Sequence, residues 1–188
     1  MVEEIDEILL DCEDKMAKAV SHTELEFASI RTGRAAPSLV ERLGVDYYGS
    51  TVQLMTIAGI SVPDARTLTI TPYDRSSLGS IERAIRDSDL GVNPTNDGNL
   101  IRITLQPPTE ERRRELIKMV KQRAEEGRVA VRTVRRNARH QLEQLQKQGT
   151  VTTDDLASSE KELEQVTAKY IAELDRALET KESDLLEV

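Results

Sequence analysis

Arg128, Arg132, Arg135, Arg136 and Arg139 follow one another at spacings of four, three, one and three residues. On a helix that turns about 100° per residue, they fall within an arc of roughly 100°, so five guanidinium groups share one side. Carboxylates of the same helix reach a side chain three or four positions away, and none stands between Gly127 and Leu142; Glu125 and Glu143 only flank the run. The row is therefore expected to lack partners on its own helix. Planar guanidinium groups form paired hydrogen bonds with phosphate oxygens and shed water more cheaply than ammonium groups, so the chemistry on offer is phosphate binding and the class of partner is nucleic acid. The competing reading is a solvated face whose charges meet acids from neighbouring helices, or an acidic protein partner docked on a helical scaffold.

The remaining reactive side chains point to no catalysis. Only His22 and His140 could serve as neutral-pH bases, and both lie among polar residues of helical segments, where exposed structural roles are the expectation. No cluster of His and Cys has metal-ligand spacing, and Thr32-Gly33-Arg34 lacks the longer glycine-rich pattern of a nucleotide cradle. Neither metal nor cofactor is expected, and the chain reads as a binding protein and not an enzyme. Cys12 is the single cysteine; its place on an apolar helical stripe suits a buried thiol.

Charge is distributed unevenly. The 34 acidic and 26 basic residues give a net charge of −8, so the chain as a whole does not attract nucleic acid. Residues 106–148, however, carry twelve basic and six acidic residues, whereas 1–30 carry two and nine, and 149–188 carry four and eleven. Acidic flanks around one basic segment favour a single docking pose. The acidic start of the chain resembles no secretory leader, no run reaches membrane-spanning length, and a soluble cytoplasmic monomer is expected.

These arginines need a scaffold. Ile5, Ile8, Leu9, Cys12, Met16, Val20, Phe27 and Ile30 recur at helical spacing, predicting one long amphipathic helix that stops near Gly33, with Pro37 beyond it. A second long helix is predicted from a Thr109 cap to Gly149, its apolar line running through Leu116, Val120, Val131, Val134, Ala138 and Leu145; Gly127 interrupts it at about 1 kcal/mol relative to Ala, which packing must offset. The third follows Thr152 or Thr153 and carries Leu156, Leu163, Val166, Tyr170, Leu174, Leu178 and Leu185. Three such stripes imply a three-helix bundle. Between the first and second helices, short β-branched-rich runs through Val45, Tyr47, Val52, Leu54, Ile57, Ile60, Val62, Leu68 and Ile70, broken by Gly and Pro and read as short strands, with a short helix from Leu78 to Ile85, turn material from Asp89 to Gly98 and a strand at Leu100–Leu105, predict an inserted β/α/β module. The expected division is residues 1–30 with 106–188 as the bundle and 31–105 as the insertion. The hinges are placed near 31–35 and 104–108, with Thr32, Gly33 and Arg34 in one and Leu105, Gln106, Pro107 and Pro108 in the other.

Five motifs in order carry a resemblance along essentially the whole chain: Ile30-Arg31-Thr32-Gly33-Arg34-Ala35, Val45-Asp46-Tyr47-Tyr48-Gly49, Ser88-Asp89-Leu90-Gly91-Val92-Asn93-Pro94, Thr109-Glu110-Glu111-Arg112-Arg113, and Val129-Ala130-Val131-Arg132-Thr133-Val134-Arg135-Arg136. The chain closely resembles the ribosome recycling factor family. That resemblance implies an α+β fold: an antiparallel three-helix bundle with a small inserted β/α/β sandwich domain, in an L-shaped, tRNA-like arrangement. It also implies binding to the large-subunit RNA of the post-termination ribosome in the A-site and P-site region. Elongation factor G with GTP then acts on the bound factor, and the subunits separate and leave the mRNA. By family pattern, Arg132 and Arg135 are the principal RNA contacts and Arg31 and Arg34 also face RNA; Arg128, Arg136 and Arg139 join them by helical geometry, and Arg112 and Arg113 by their motif.

Overall fold

The computed structural model describes residues 2–187. Helix α1 (Val2–Ser29), helix α4 (Glu110–Lys147) and helix α5 (Thr153–Leu186) form the bundle. Their 28, 38 and 34 residues correspond to lengths of about 42, 57 and 51 Å at 1.5 Å per residue. Helices α4 and α5 begin where their sequence supplies a cap. The Thr109 Oγ1 accepts the Arg112 N–H at 3.2 Å, capping α4. At the start of α5, Thr152 Oγ1 accepts the Asp155 N–H at 3.1 Å while the Asp155 carboxylate accepts the Thr152 N–H at 3.0 Å, a reciprocal cap that satisfies two otherwise unpaired donors. The Thr152 hydroxyl, which donates to the Asp155 carboxylate at 2.6 Å, and then the Thr152 N–H hold the Asp155 carboxyl below its ordinary pKa. Gly149, with φ of +76°, ends α4 as predicted, its left-handed backbone letting the Thr150 N–H turn back to the Leu145 carbonyl at 3.0 Å. Helix α1 stops at Ser29, four residues before the predicted glycine.

Buried Ile5, Leu9, Cys12, Met16 and Val20 of α1 pack with Val131, Ala138 and Leu142 of α4 and with Leu163, Tyr170 and Leu174 of α5. Gly127 shows why a helix tolerates glycine at its centre: a Cβ there would lie 2.5 Å from Thr23 Oγ1 and 3.2 Å from the Leu174 side chain. All three helices converge on that point. Glu26 of α1 approaches Arg123 of α4 at 3.8 Å, so α1 and α4 run antiparallel; Glu13 accepts bonds from Lys169 at 2.9 Å and Tyr170 at 3.1 Å, so α5 returns parallel to α1. Burial together with Asp11 pushes the Cys12 thiol up to about 11, in keeping with its packed position.

The inserted segment has its own core. Strands β1 (Gly44–Tyr47) and β2 (Ser50–Gln53) form an antiparallel hairpin through Tyr48 and Gly49, whose φ values of +50° and +81° suit the primed turn that follows strand twist. A helical turn α2 (Leu54–Ile57) leads into β3 (Ala58–Asp64) and β4 (Thr67–Pro72); helix α3 (Leu78–Arg86) precedes β5 (Thr95–Asn96) and β6 (Ile101–Thr104). The four later strands form a fully antiparallel sheet in the order β3-β4-β6-β5. Leu68 and Ile70 of β4 alternate inward beside Ile101 and Ile103 of β6, and Ile81 and Ile85 of α3 share their core. Two local predictions are corrected. Leu54 and Ile57, read among short strands, lie on α2, where both are buried, and Thr95-Asn96, read as turn, pairs with Arg102 and Ile101.

The backbone groups into two compact units, Met1–Arg31 with Arg114–Ser183, and Thr32–Arg113 with Asp184–Val188. The first turn of α4 and the end of α5 thus go with the inserted segment. Part of the reason is Arg34, whose Nη1 reaches Asp184 at 3.3 Å and Glu187 at 3.0 Å. Among the described residues no helix is long and apolar enough to cross a membrane.

Candidate nucleic-acid interface

The helical register of α4 is set by its buried stripe of Leu116, Val120, Ala124, Gly127, Val131, Ala138 and Leu142. The arginine row is centred about 100° from that stripe, on the shoulder of the helix that borders α5. Arg132, Arg135, Arg136 and Arg139 surround an open depression of about 330 Å³ with Val129 and Thr133. Val129 is 51 % exposed, an apolar floor among guanidinium groups.

Most of the row is not unpaired. Glu125 and Glu143, read from the sequence as mere flanks, both engage it: Glu125 reaches Arg128 at 3.0 Å and Arg132 at 3.1 Å, and Glu143 reaches Arg139 at 3.1 Å. They stand three residues before Arg128 and four after Arg139, the spacings at which helical neighbours meet. Further acids come from α5, with Asp175 on Arg128 at 2.6 Å, Glu164 on Arg135 at 3.4 Å and Glu160 on Arg139 at 3.0 Å. As the arginines advance along α4 their partners retreat along α5, as antiparallel neighbours must. Hydrogen bonds from Arg128 and Arg132 hold the Glu125 carboxyl below its ordinary range. The bonds with Asp175, ahead of those with Glu125, push Arg128 up.

The pairing divides the row. Arg128 is the most enclosed, with its side chain 21 % exposed and both Nε and Nη2 on the same Asp175 oxygen. It straps α4 to α5. Arg135 holds the exposed carboxylate of Glu164 and Arg139 the half-buried carboxylates of Glu143 and Glu160, in pairs at the surface that water and salt weaken. Arg132 meets only Glu125, and Arg136, exposed, makes no ion pair or hydrogen bond among the described residues. The groups readiest to receive phosphate are therefore Arg132 and Arg136, at the outer edge of the shoulder.

The other predicted residues lie outside the row. Arg31, just past the end of α1, is exposed and makes no ion pair among the described residues; because Glu26 faces Arg123, Arg31 lies toward the Leu116 end of α4. Arg34 is held by Asp184 and Glu187. Arg112 is exposed and Arg113 half-buried in the first turn of α4. Of the predicted hinge residues, Thr32 Oγ1 accepts the Arg34 N–H at 3.4 Å and Gly33 has φ of +80°. The Leu105 N–H donates to the Arg66 carbonyl at 2.7 Å, beside the Ala35 N–H on the Ala65 carbonyl at 2.7 Å. Gln106, Pro107 and Pro108 follow without regular structure.

Sequence reasoning missed Glu160, Glu164 and Asp175. A signal was present: with Glu182, which reaches Lys121 at 3.5 Å, they fall within an arc of roughly 60° on α5, a stripe of the opposite sign.

Residues 23–186 match the family model for ribosome recycling factor. The chain is 53% identical over 184 residues to the ribosome-recycling factor of Acidothermus cellulolyticus, covering 98% of this chain and 100% of that one. It is 50% identical over 184 residues to that of Rhodococcus jostii, with the same coverage. Among solved structures, a ribosome recycling factor in solution matches with a TM-score of 0.73 and 40% identity over 100% of both chains. The T. thermophilus ribosome recycling factor, in models with E. coli elongation factor G bound to the E. coli post-termination complex, matches with a TM-score of 0.64 and 42% identity over 97% of this chain and 98% of that one.

Proposed function

The chain belongs to the ribosome recycling factor family, and from that membership we propose that it binds the post-termination ribosome as a monomer and, with elongation factor G and GTP, promotes separation of the subunits in the cytoplasm. It does so as a binding factor without an active site of its own. The energy of splitting then comes from its partner, because binding alone shifts an equilibrium only by differential affinity for two states.

The observation that carries the RNA-facing site is the open depression on α4 with Arg136 unpartnered beside Arg132. We assign Arg132, Arg135 and Arg136 to direct phosphate contact and Arg139 to the margin of the same surface. Arg31, Arg34, Arg112 and Arg113 are assigned to RNA on the family pattern; Arg34 must exchange Asp184 and Glu187 for phosphate to act so. Thr32–Arg34 and Leu105–Pro108 are assigned as the hinge.

Equilibrium binding of the protein to vacant ribosomes across a range of salt concentrations tests this site. Arg132→Ala with Arg135→Ala is expected to weaken binding about a hundredfold, at about 1–3 kcal/mol per charge-assisted contact, and to flatten the salt dependence by about two phosphate contacts. Helical content should stay at the wild-type level. Unchanged affinity would remove these arginines from the interface.

A further inference from the structure

The acids of α5 are not distributed evenly along the arginine shoulder. Glu160 and Glu164 stand opposite Arg139 and Arg135, and Asp175 opposite Arg128. Between Gln165 and Ala172, α5 carries no acid at all. Because the partners retreat along α5 as the arginines advance along α4, this acid-free interval, whose one charge, Lys169, is turned to Glu13 of α1, lies opposite Arg132. Among the described residues Arg132 accordingly finds its only carboxylate on its own helix, and Arg136, on the side of α4 turned further from α5, finds none.

We infer that Glu160, Glu164 and Asp175 are specificity-determining residues of the RNA-binding face. They occupy Arg139, Arg135 and Arg128 in the free protein and leave a window, centred on Arg132 and Arg136, at which a phosphate backbone is first accepted before exposed Glu164 yields Arg135 to it. The inference rests on reading this face as RNA-binding. Its physical basis is the different fate of a carboxylate inside and outside the window. A phosphate chain that crosses the shoulder at the acid-free interval meets Arg132 and Arg136, to which no α5 carboxylate is bound among the described residues, and has only Glu125 to displace from Arg132. One that runs along the shoulder must displace Glu164 and Glu160 from Arg135 and Arg139 or lie beside them, within the roughly 8–10 Å over which charges act at physiological salt. The Glu164 side chain is 66 % exposed, so its displacement by a well-placed phosphate is easy, while its repulsion of a badly placed one persists. A shaped RNA that fixes its phosphates at the window is thereby favoured over an arbitrary duplex that slides.

The test compares wild type, Glu160→Gln/Glu164→Gln and Glu160→Asp/Glu164→Asp for binding to vacant ribosomes and to a short RNA duplex of arbitrary sequence at one salt concentration. Asp175 is left in place because it holds Arg128. The glutamine variant is expected to bind the duplex about tenfold more tightly, two repulsive charges having been removed beside a phosphate chain. Its ribosome affinity should rise by no more than about threefold, since the window itself is unchanged. The aspartate variant should keep the wild-type selectivity, because charge and not side-chain length sets it. Unchanged duplex affinity in the glutamine variant, or an equal rise toward both RNAs, would overturn the inference. Arg132→Ala/Arg135→Ala runs beside them as a separate control: retained ribosome binding there would sink the RNA-binding reading itself, whatever the glutamine variant does on the duplex.

Discussion

At the scale of single residues, the arginine row separates into groups that hold the protein together and groups that face outward. Arg128 illustrates the first. Its guanidinium donates twice to Asp175 and once to Glu125. Arg128→Ala is expected to destabilise the protein by about 1 kcal/mol, which lowers Tm by about 2–4 °C in a chain of this size. Its ribosome affinity should fall at least fivefold less than that of Arg132→Ala, since the guanidinium is already engaged. Melting curves and ribosome binding on the two variants separate the roles; an affinity loss equal to that of Arg132→Ala would put Arg128 on the RNA. The sequence could not make this division. Position on the α4 wheel placed all five arginines on one side, but enclosure depends on which of them border α5, and that is set by packing between helices.

At the scale of elements, the long helices were legible because their apolar residues repeat at helical spacing over many turns and their ends carry Thr109, Thr152 and Gly149. Short elements were less so. Leu54 and Ile57 are apolar and three apart, a spacing that strand and helical turn both accommodate over so few residues, and β5 pairs only because β6 offers Arg102 and Ile101 as partners. Gly127 is the informative case, since the sequence flagged a cost without saying what offset it. The offset is the approach of Thr23 and Leu174. Gly127→Ala therefore sets about 1 kcal/mol of gained helix propensity against about 1–3 kcal/mol of overpacking, and a net loss of about 1 kcal/mol is expected. In a Thr23→Ala background the same change should become neutral or stabilising, because the nearest atoms are gone and Leu174 alone can adjust. Urea unfolding of the four proteins measures the coupling; identical effects of Gly127→Ala in both backgrounds would mean that Thr23 is not what the glycine accommodates.

At the scale of the whole molecule, the chain enters the inserted unit after Arg31, leaves it after Arg113 within the first turns of α4, and rejoins it after Ser183. Within the inserted unit the chain is pinned at two points to adjacent carbonyls of the β3–β4 turn, Ala35 to Ala65 and Leu105 to Arg66. Pro107 and Pro108 restrict the backbone torsions just beyond Leu105. Glycine at position 33, with φ of +80°, supplies the backbone freedom that the prolines remove. Cross-linking a cysteine in one unit to a cysteine in the other is thus expected to leave ribosome binding within about twofold of wild type, because the α4 face is untouched, and to abolish GTP-dependent subunit splitting by elongation factor G. A reducible linker makes the loss reversible in the same sample, which separates a locked hinge from a damaged protein. Native Cys12 does not interfere: it is 2% exposed, and burial raises its pKa to about 11, so its thiolate is scarce at neutral pH. Full splitting by the locked protein would mean that the two units act as one rigid body, and the role of Thr32–Arg34 and Leu105–Pro108 would reduce to connection.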